Sequence, residues 1–126
     1  MKSSLYVISI LFLWQVIIAC SASSSKPVVK PTIADLQKNI ADLVNDKSCN
    51  ERKQCQSIAY GAKACGGPTS YLIYSLKHTD VVKLSRAVGQ YNQLVKENNI
   101  RSGSVSNCSM LIPPTPECRE NKCVAS

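Results

Sequence analysis

Four stretches of this chain carry ordered apolar patterns, and they call for different structures. Leu5 to Ala19 (LYVISILFLWQVIIA) is nearly unbroken apolar sequence. At about 15 residues, with Ser9 and Gln15 inside it, the stretch is short for a membrane-spanning helix, which needs about 20. From Thr32 to Asp46, Ile33, Leu36, Ile40, Leu43 and Val44 recur at helical spacing. Thr32 follows Pro31 as an N-cap and Asp35 stands in the first turn, so the pattern predicts an amphipathic helix ended by Asp46-Lys47-Ser48. From Thr79 to Asn98, Val81, Leu84, Val88, Tyr91 and Val95 form a second helical stripe, widened by Leu94. Thr79 or Asp80 caps it, Asn98-Asn99 with Gly103 ends it, and the mid-helix Gly89 suggests close packing on another element.

Between and after the helices the period changes. In Gln54–Lys63, Cys55, Ser57 and Ala59 alternate against Gln56, Ile58 and Tyr60, which predicts a strand, with Gly61 marking a bulge or close backbone approach. Cys65-Gly66-Gly67-Pro68 must turn. Ser70–Leu76 reads as extended. Two short strands are expected around Val105–Ile112 and Glu117–Ala125, separated by Pro113, Pro114 and Pro116, with Asn121 in a turn between Cys118 and Cys123. The expected fold class is α+β: two helices packed on a small antiparallel sheet of about three strands.

The apolar N-terminal run gains meaning from its flanks. Lys2 precedes it and Cys20-Ser21-Ala22 follow, the three-part pattern of an export signal. Ile17-Ile18-Ala19-Cys20 resembles the bacterial lipobox. That resemblance implies a diacylglyceryl group on the Cys20 thiol, cleavage after Ala19 and acylation of the new amino terminus, with Ile17 standing where leucine is usual. The organisation is then a signal peptide over 1–19, a lipidated Cys20 and flexible tether over 20–31, and one globular domain over 32–126. Ser21 after the modified cysteine implies, by the same resemblance, an outer-membrane lipoprotein facing the periplasm or the surface. The alternative is cleavage after Ala22, giving a soluble secreted protein such as a protease inhibitor or effector.

Cysteine parity fits either cleavage. The chain holds seven cysteines. Without Cys20, the remaining Cys49, Cys55, Cys65, Cys108, Cys118 and Cys123 can all pair as disulfides, although spacing does not choose the partners. No pair has the two-residue spacing of zinc or thiol-redox sites, and the chain has one histidine, so no metal is expected. No cofactor fingerprint or phosphate loop occurs, and none is expected to bind. His78 reads as a surface residue, with Asp80 too near in sequence to orient it for a triad. Asp35, Asp42 and Asp46 read as a solvated helix face, so no catalytic residue and no enzyme activity are expected. Under a eukaryotic origin, Asn107-Cys108-Ser109 would be an inefficient glycosylation acceptor.

Charge changes the picture little. The formal net charge is +7, but its lysines and arginines form no dense run. This excludes a nucleic-acid footprint, and the scattered charges read first as a soluble basic surface, with long-range attraction to an acidic envelope partner, peptidoglycan or anionic lipid as the rival reading. The candidate binding loop is Gly66, Gly67 and Pro68 with Tyr71 and Tyr74, where glycines pinned by a disulfide stand beside rigid aromatic area. A structural reading competes, in which the glycines make a tight turn and the tyrosines fill the core.

From Cys49 to Cys123 the chain resembles a group of small cysteine-rich bacterial lipoproteins and envelope proteins. The resemblance rests on Cys49, Cys55, Cys65-Gly66-Gly67-Pro68, Tyr71, Tyr74-Ser75, Ser106-Asn107-Cys108, Cys118 and Cys123. It implies an envelope address and brings no activity with it; the leading expectation is a lipid-anchored envelope protein that acts by binding, as an accessory or inhibitor of an envelope enzyme.

Overall fold

The structure, a computed structural model, describes residues 29–126. The expected signal peptide over 1–19, the expected lipid acceptor Cys20 and residues 21–28 of the expected tether lie outside the described residues. Helix α1 (Ile33–Leu43) begins with a reciprocal capping box: Asp35 N–H donates to the Thr32 hydroxyl, and Thr32 N–H donates to the Asp35 carboxylate. The Thr32 N–H, followed by the Thr32 hydroxyl, donates to the Asp35 carboxylate and holds it below its ordinary pKa. Helix α2 (Val81–Ser102) starts at Asp80, whose side chain accepts from Lys83 N–H. It ends at Gly103, in the left-handed conformation that glycine adopts without strain. It therefore runs four residues past Asn98. Asn99 there donates to Ala62 O and Asn98 accepts from Arg101 within the helix, so neither breaks it.

Strands β1 (Cys55–Tyr60) and β2 (Ser70–Ser75) pair antiparallel from Cys55↔Ser75 to Tyr60↔Ser70. A second antiparallel hairpin joins β3 (Pro116–Arg119) to β4 (Lys122–Ala125), with Cys118 directly opposite Cys123. Its turn residues, Glu120 and Asn121, both have positive φ, as a type I′ turn requires. The α+β class and both helices are as expected, but the sheet is two separate two-stranded hairpins. Lys47–Cys49 lies along β4 through one bridge, Ser48↔Lys122, with Cys123 N–H donating to Lys47 O at 2.8 Å. The strand expected around Val105–Ile112 does not form: residues 104–115 run without helix, turn or bend. The segment has strand composition but no neighbouring strand to supply a ladder.

Two cores result from the two faces of β1–β2. Toward the helices, Leu36, Ile40, Val44, Leu84, Ala87, Val88 and Tyr91 close around Tyr74, with Ile58, Tyr60 and Leu72 at the margin. Tyr60 and Tyr91 stack with ring centroids 4.4 Å apart. On the other face, Ile73 packs with Cys49, Cys55 and Cys123. There the disulfides Cys49–Cys118 and Cys55–Cys123, with Cα separations of 6.0 and 5.4 Å, tie the segment after α1 and the start of β1 to the second hairpin. Each stabilises by roughly 2–4 kcal/mol, largely by restricting the unfolded chain.

Gly61 is the close approach that its position suggested. It has φ +78°, and a Cβ there would fall 1.7 Å from Thr69 Oγ1. Gly89 is not: it is solvent-facing, with open space where a side chain would be. Val81, first of the α2 stripe, is also exposed, since the core begins at Leu84.

Candidate functional site

The third disulfide, Cys65–Cys108, lies outside both cores, and both of its cysteines are exposed. It joins the 61–69 loop between β1 and β2 to the 104–115 arm after α2. The loop is shaped from within. Gly66 and Gly67 adopt φ of +99° and +79°, Gly66 N–H donates to Lys63 O, and Lys63 N–H donates to Gly67 O at 2.9 Å. Such torsions strain any residue with a Cβ.

The loop is also held from below by α2. Asn92 accepts from Gly61 N–H at 2.7 Å and donates to Ala59 O at 3.2 Å, while Asn99 donates to Ala62 O at 2.8 Å. These positioning residues escaped sequence reasoning. Their spacing of seven places both on one face of a helix, beside the apolar stripe, and was the available signal. On the outer side Lys63 Nζ donates to the Ser109 carbonyl at 2.7 Å, and Cys65 N–H donates to Ser106 Oγ at 3.3 Å. Covalent and polar links together fix arm to loop.

Between them is an open groove of about 370 Å³, lined by Gly66, Gly67, Pro68 and Tyr71 from the loop side and by Ser109 to Leu111 from the arm. The candidate residues thus divide. Gly66, Gly67, Pro68 and Tyr71 share the groove, whereas Tyr74 is 7% exposed and belongs to the helix-facing core. Burial raises its phenol pKa. Residues three apart on a strand point to opposite faces, so the odd spacing of the two tyrosines already separated them. Met110 and Leu111, absent from the candidate set, complete the groove.

One titratable cluster was also not foreseen. His78 Nδ1 lies 3.4 Å from Asp46 Oδ2, and Asp46 Oδ1 accepts from both the N–H and the hydroxyl of Ser48. The Ser48 bonds, with a smaller contribution from His78, hold the Asp46 carboxyl below its usual range. The carboxylate stands between imidazole and hydroxyl. A nucleophilic triad needs the imidazole in the middle to take the hydroxyl proton, so this order activates no nucleophile. The cluster instead joins the end of α1 to the turn before α2. Asp35 is used in its cap, and Asp42 pairs with Lys38 at 3.2 Å. Cys49, Cys55 and Cys123 sulfurs lie within 4.8 Å of one another, but all are committed to disulfides and offer no thiolate to a metal.

Comparison with models of protein families, with curated proteins and with solved structures finds no match for the chain. What stands is a small cysteine-rich protein with three disulfides, of a kind that belongs to an oxidising, extracytoplasmic compartment. No helix among the described residues is long and apolar enough to cross a membrane.

Proposed function

We propose that this chain is an exported binding protein of a bacterial envelope, anchored through lipid on Cys20, that acts by contact as an accessory or inhibitor of an envelope enzyme. The observation that carries the binding reading is the Cys65–Cys108 link. A disulfide with no core around it fixes two surface segments into one face, and such preorganisation lowers the entropy lost on binding. The lipid anchor draws its support from the sequence alone. Ile17-Ile18-Ala19-Cys20 supplies the acceptor, and Ser21–Pro31 supplies a Ser- and Pro-containing spacer.

Mass spectrometry of the mature amino terminus tests the anchor. A mass increase of acyl chains on Cys20, lost in Cys20→Ser, is expected. A mature chain beginning at Ser23 and recovered from medium would establish the secreted alternative. Proximity labelling from Tyr71, with a photoreactive residue in its place, tests the binding face. A discrete adduct with an envelope protein is expected, and an adduct-free result in the native host would overturn this reading.

A further inference from the structure

The arm after α2 is restrained at both ends and free between them. At one end stand the Cys65–Cys108 disulfide and the bond from Lys63 Nζ to Ser109 O. At the other, the Thr115 carbonyl accepts from Ser126 N–H at 3.0 Å and from the Ser126 hydroxyl at 2.9 Å, just before β3. From Met110 through Pro114 no backbone N–H or C=O is hydrogen-bonded among the described residues. Side chains alternate along it: Met110 is 93% exposed, Leu111 38% and Ile112 88%. Leu111, the least exposed of the three, lines the groove with Tyr71, while Met110 at the groove's rim and Ile112 beyond it stand largely in solvent. Pro113 and Pro114 stiffen the exit.

We infer that this arm is a substrate-like strand that occupies the active-site cleft of an endopeptidase with an apolar specificity pocket, Met110 entering that pocket. The inference rests on the binding reading above and names its partner class. A segment with strand composition, unpaired backbone groups and consecutive apolar side chains whose exposure alternates is what an edge-pairing cleft receives. Rigid attachment at both ends removes most of the ordering cost that an ordinary peptide substrate pays. Hydrolysis within the arm would leave both new ends attached to the domain, through Cys108 on one side and β3 on the other, so the products could not diffuse apart.

The partner's chemistry follows from charge. Ser102 to Pro116 contains no charged side chain in a chain of net charge +7. A long-range electrostatic partner would select a charged surface, whereas a desolvated cleft selects a neutral apolar one. A bilayer is a poor host, because three consecutive apolar residues would carry their unpaired N–H groups into hydrocarbon.

The test titrates chymotrypsin, subtilisin and elastase, which differ in apolar pocket size, with the exported protein in its fully oxidised form. At least one is expected to be inhibited at near-stoichiometric ratio. Met110→Asp should weaken that inhibition at least about tenfold, while leaving the melting temperature unchanged because Met110 lies in solvent. The double variant Cys65→Ala/Cys108→Ala should turn inhibitor into substrate, with the arm cut at least about tenfold faster. Failure to inhibit all three, with the arm cut equally fast in both forms, would overturn the inference. So would a Met110-dependent self-association, or Met110-dependent binding of the Cys20→Ser chain to phosphatidylcholine vesicles, without inhibition. An adduct from Tyr71 to an envelope protein without protease activity would sink this inference and leave the binding reading standing.

Discussion

The three disulfides serve two ends, and the contrast between them shows how the chain divides its work. Cys49–Cys118 and Cys55–Cys123 are packed against Ile73, with Cys49, Cys55 and Cys123 at most 3% exposed. Cys65–Cys108 lies in solvent, with a groove beside it in place of a core. The buried pair supplies apolar area and cross-linking together, in a domain too small to rely on its helix-facing core alone. The exposed one supplies only restraint. A covalent bond spent where nothing is buried is explained by what it positions, which is the 104–115 arm.

Removing each staple separates the two roles. Cys55→Ala/Cys123→Ala should cost the most, about 2–5 kcal/mol, read as a lowered denaturant midpoint or as loss of the cooperative transition. Gly61→Ala comes next, at about 1–3 kcal/mol. Its φ of +78° is strained for alanine, and its methyl group displaces the Thr69 hydroxyl from the Tyr60 carbonyl. Cys65→Ala/Cys108→Ala should cost less than the buried pair, about 1–2 kcal/mol, because the freed arm regains its own entropy. Hydrogen exchange would show the loss confined to residues 61–69 and 104–115. An equal loss of stability from both disulfide deletions would erase the contrast.

The smallest effect belongs to the helix-facing core at high pH. Burial, followed by the Tyr91 hydroxyl, pushes the Tyr60 phenol from 10.0 up to about 12. The folded state thus favours neutral Tyr60. Its contribution to stability is complete below pH 10 and declines as pH rises toward 12. Tyr60→Phe should reduce the fall in unfolding midpoint across that window, measured without thiols. The cystine-facing side has no such group and should be insensitive to the substitution.

Legibility in the sequence follows the range of the interactions. Both helices were readable because their stripes and caps are local, and Thr32, Asp80 and Gly103 act within a few residues of themselves. The β1 faces were readable from alternation. The Cys118–Cys123 spacing around Asn121 contained its register too, since a two-residue turn sets those cysteines opposite each other. The disulfide partners were not readable, because they depend on which side of β1 the second hairpin docks. Val105–Ile112 misled for a related reason: strand composition states a preference, and only a neighbour makes a strand. Of the candidate site, the glycines, Pro68 and Tyr71 were found, while Asn92, Asn99 and Met110 needed the tertiary arrangement.

Disulfide mapping of the exported protein, digested without reduction and analysed by mass spectrometry, tests the two-role division most directly. The expected result is three linked pairs, Cys49–Cys118, Cys55–Cys123 and Cys65–Cys108, of which the last opens first under mild reductant. Free thiols at Cys65 and Cys108, or either of them joined to one of the other four cysteines, would contradict it.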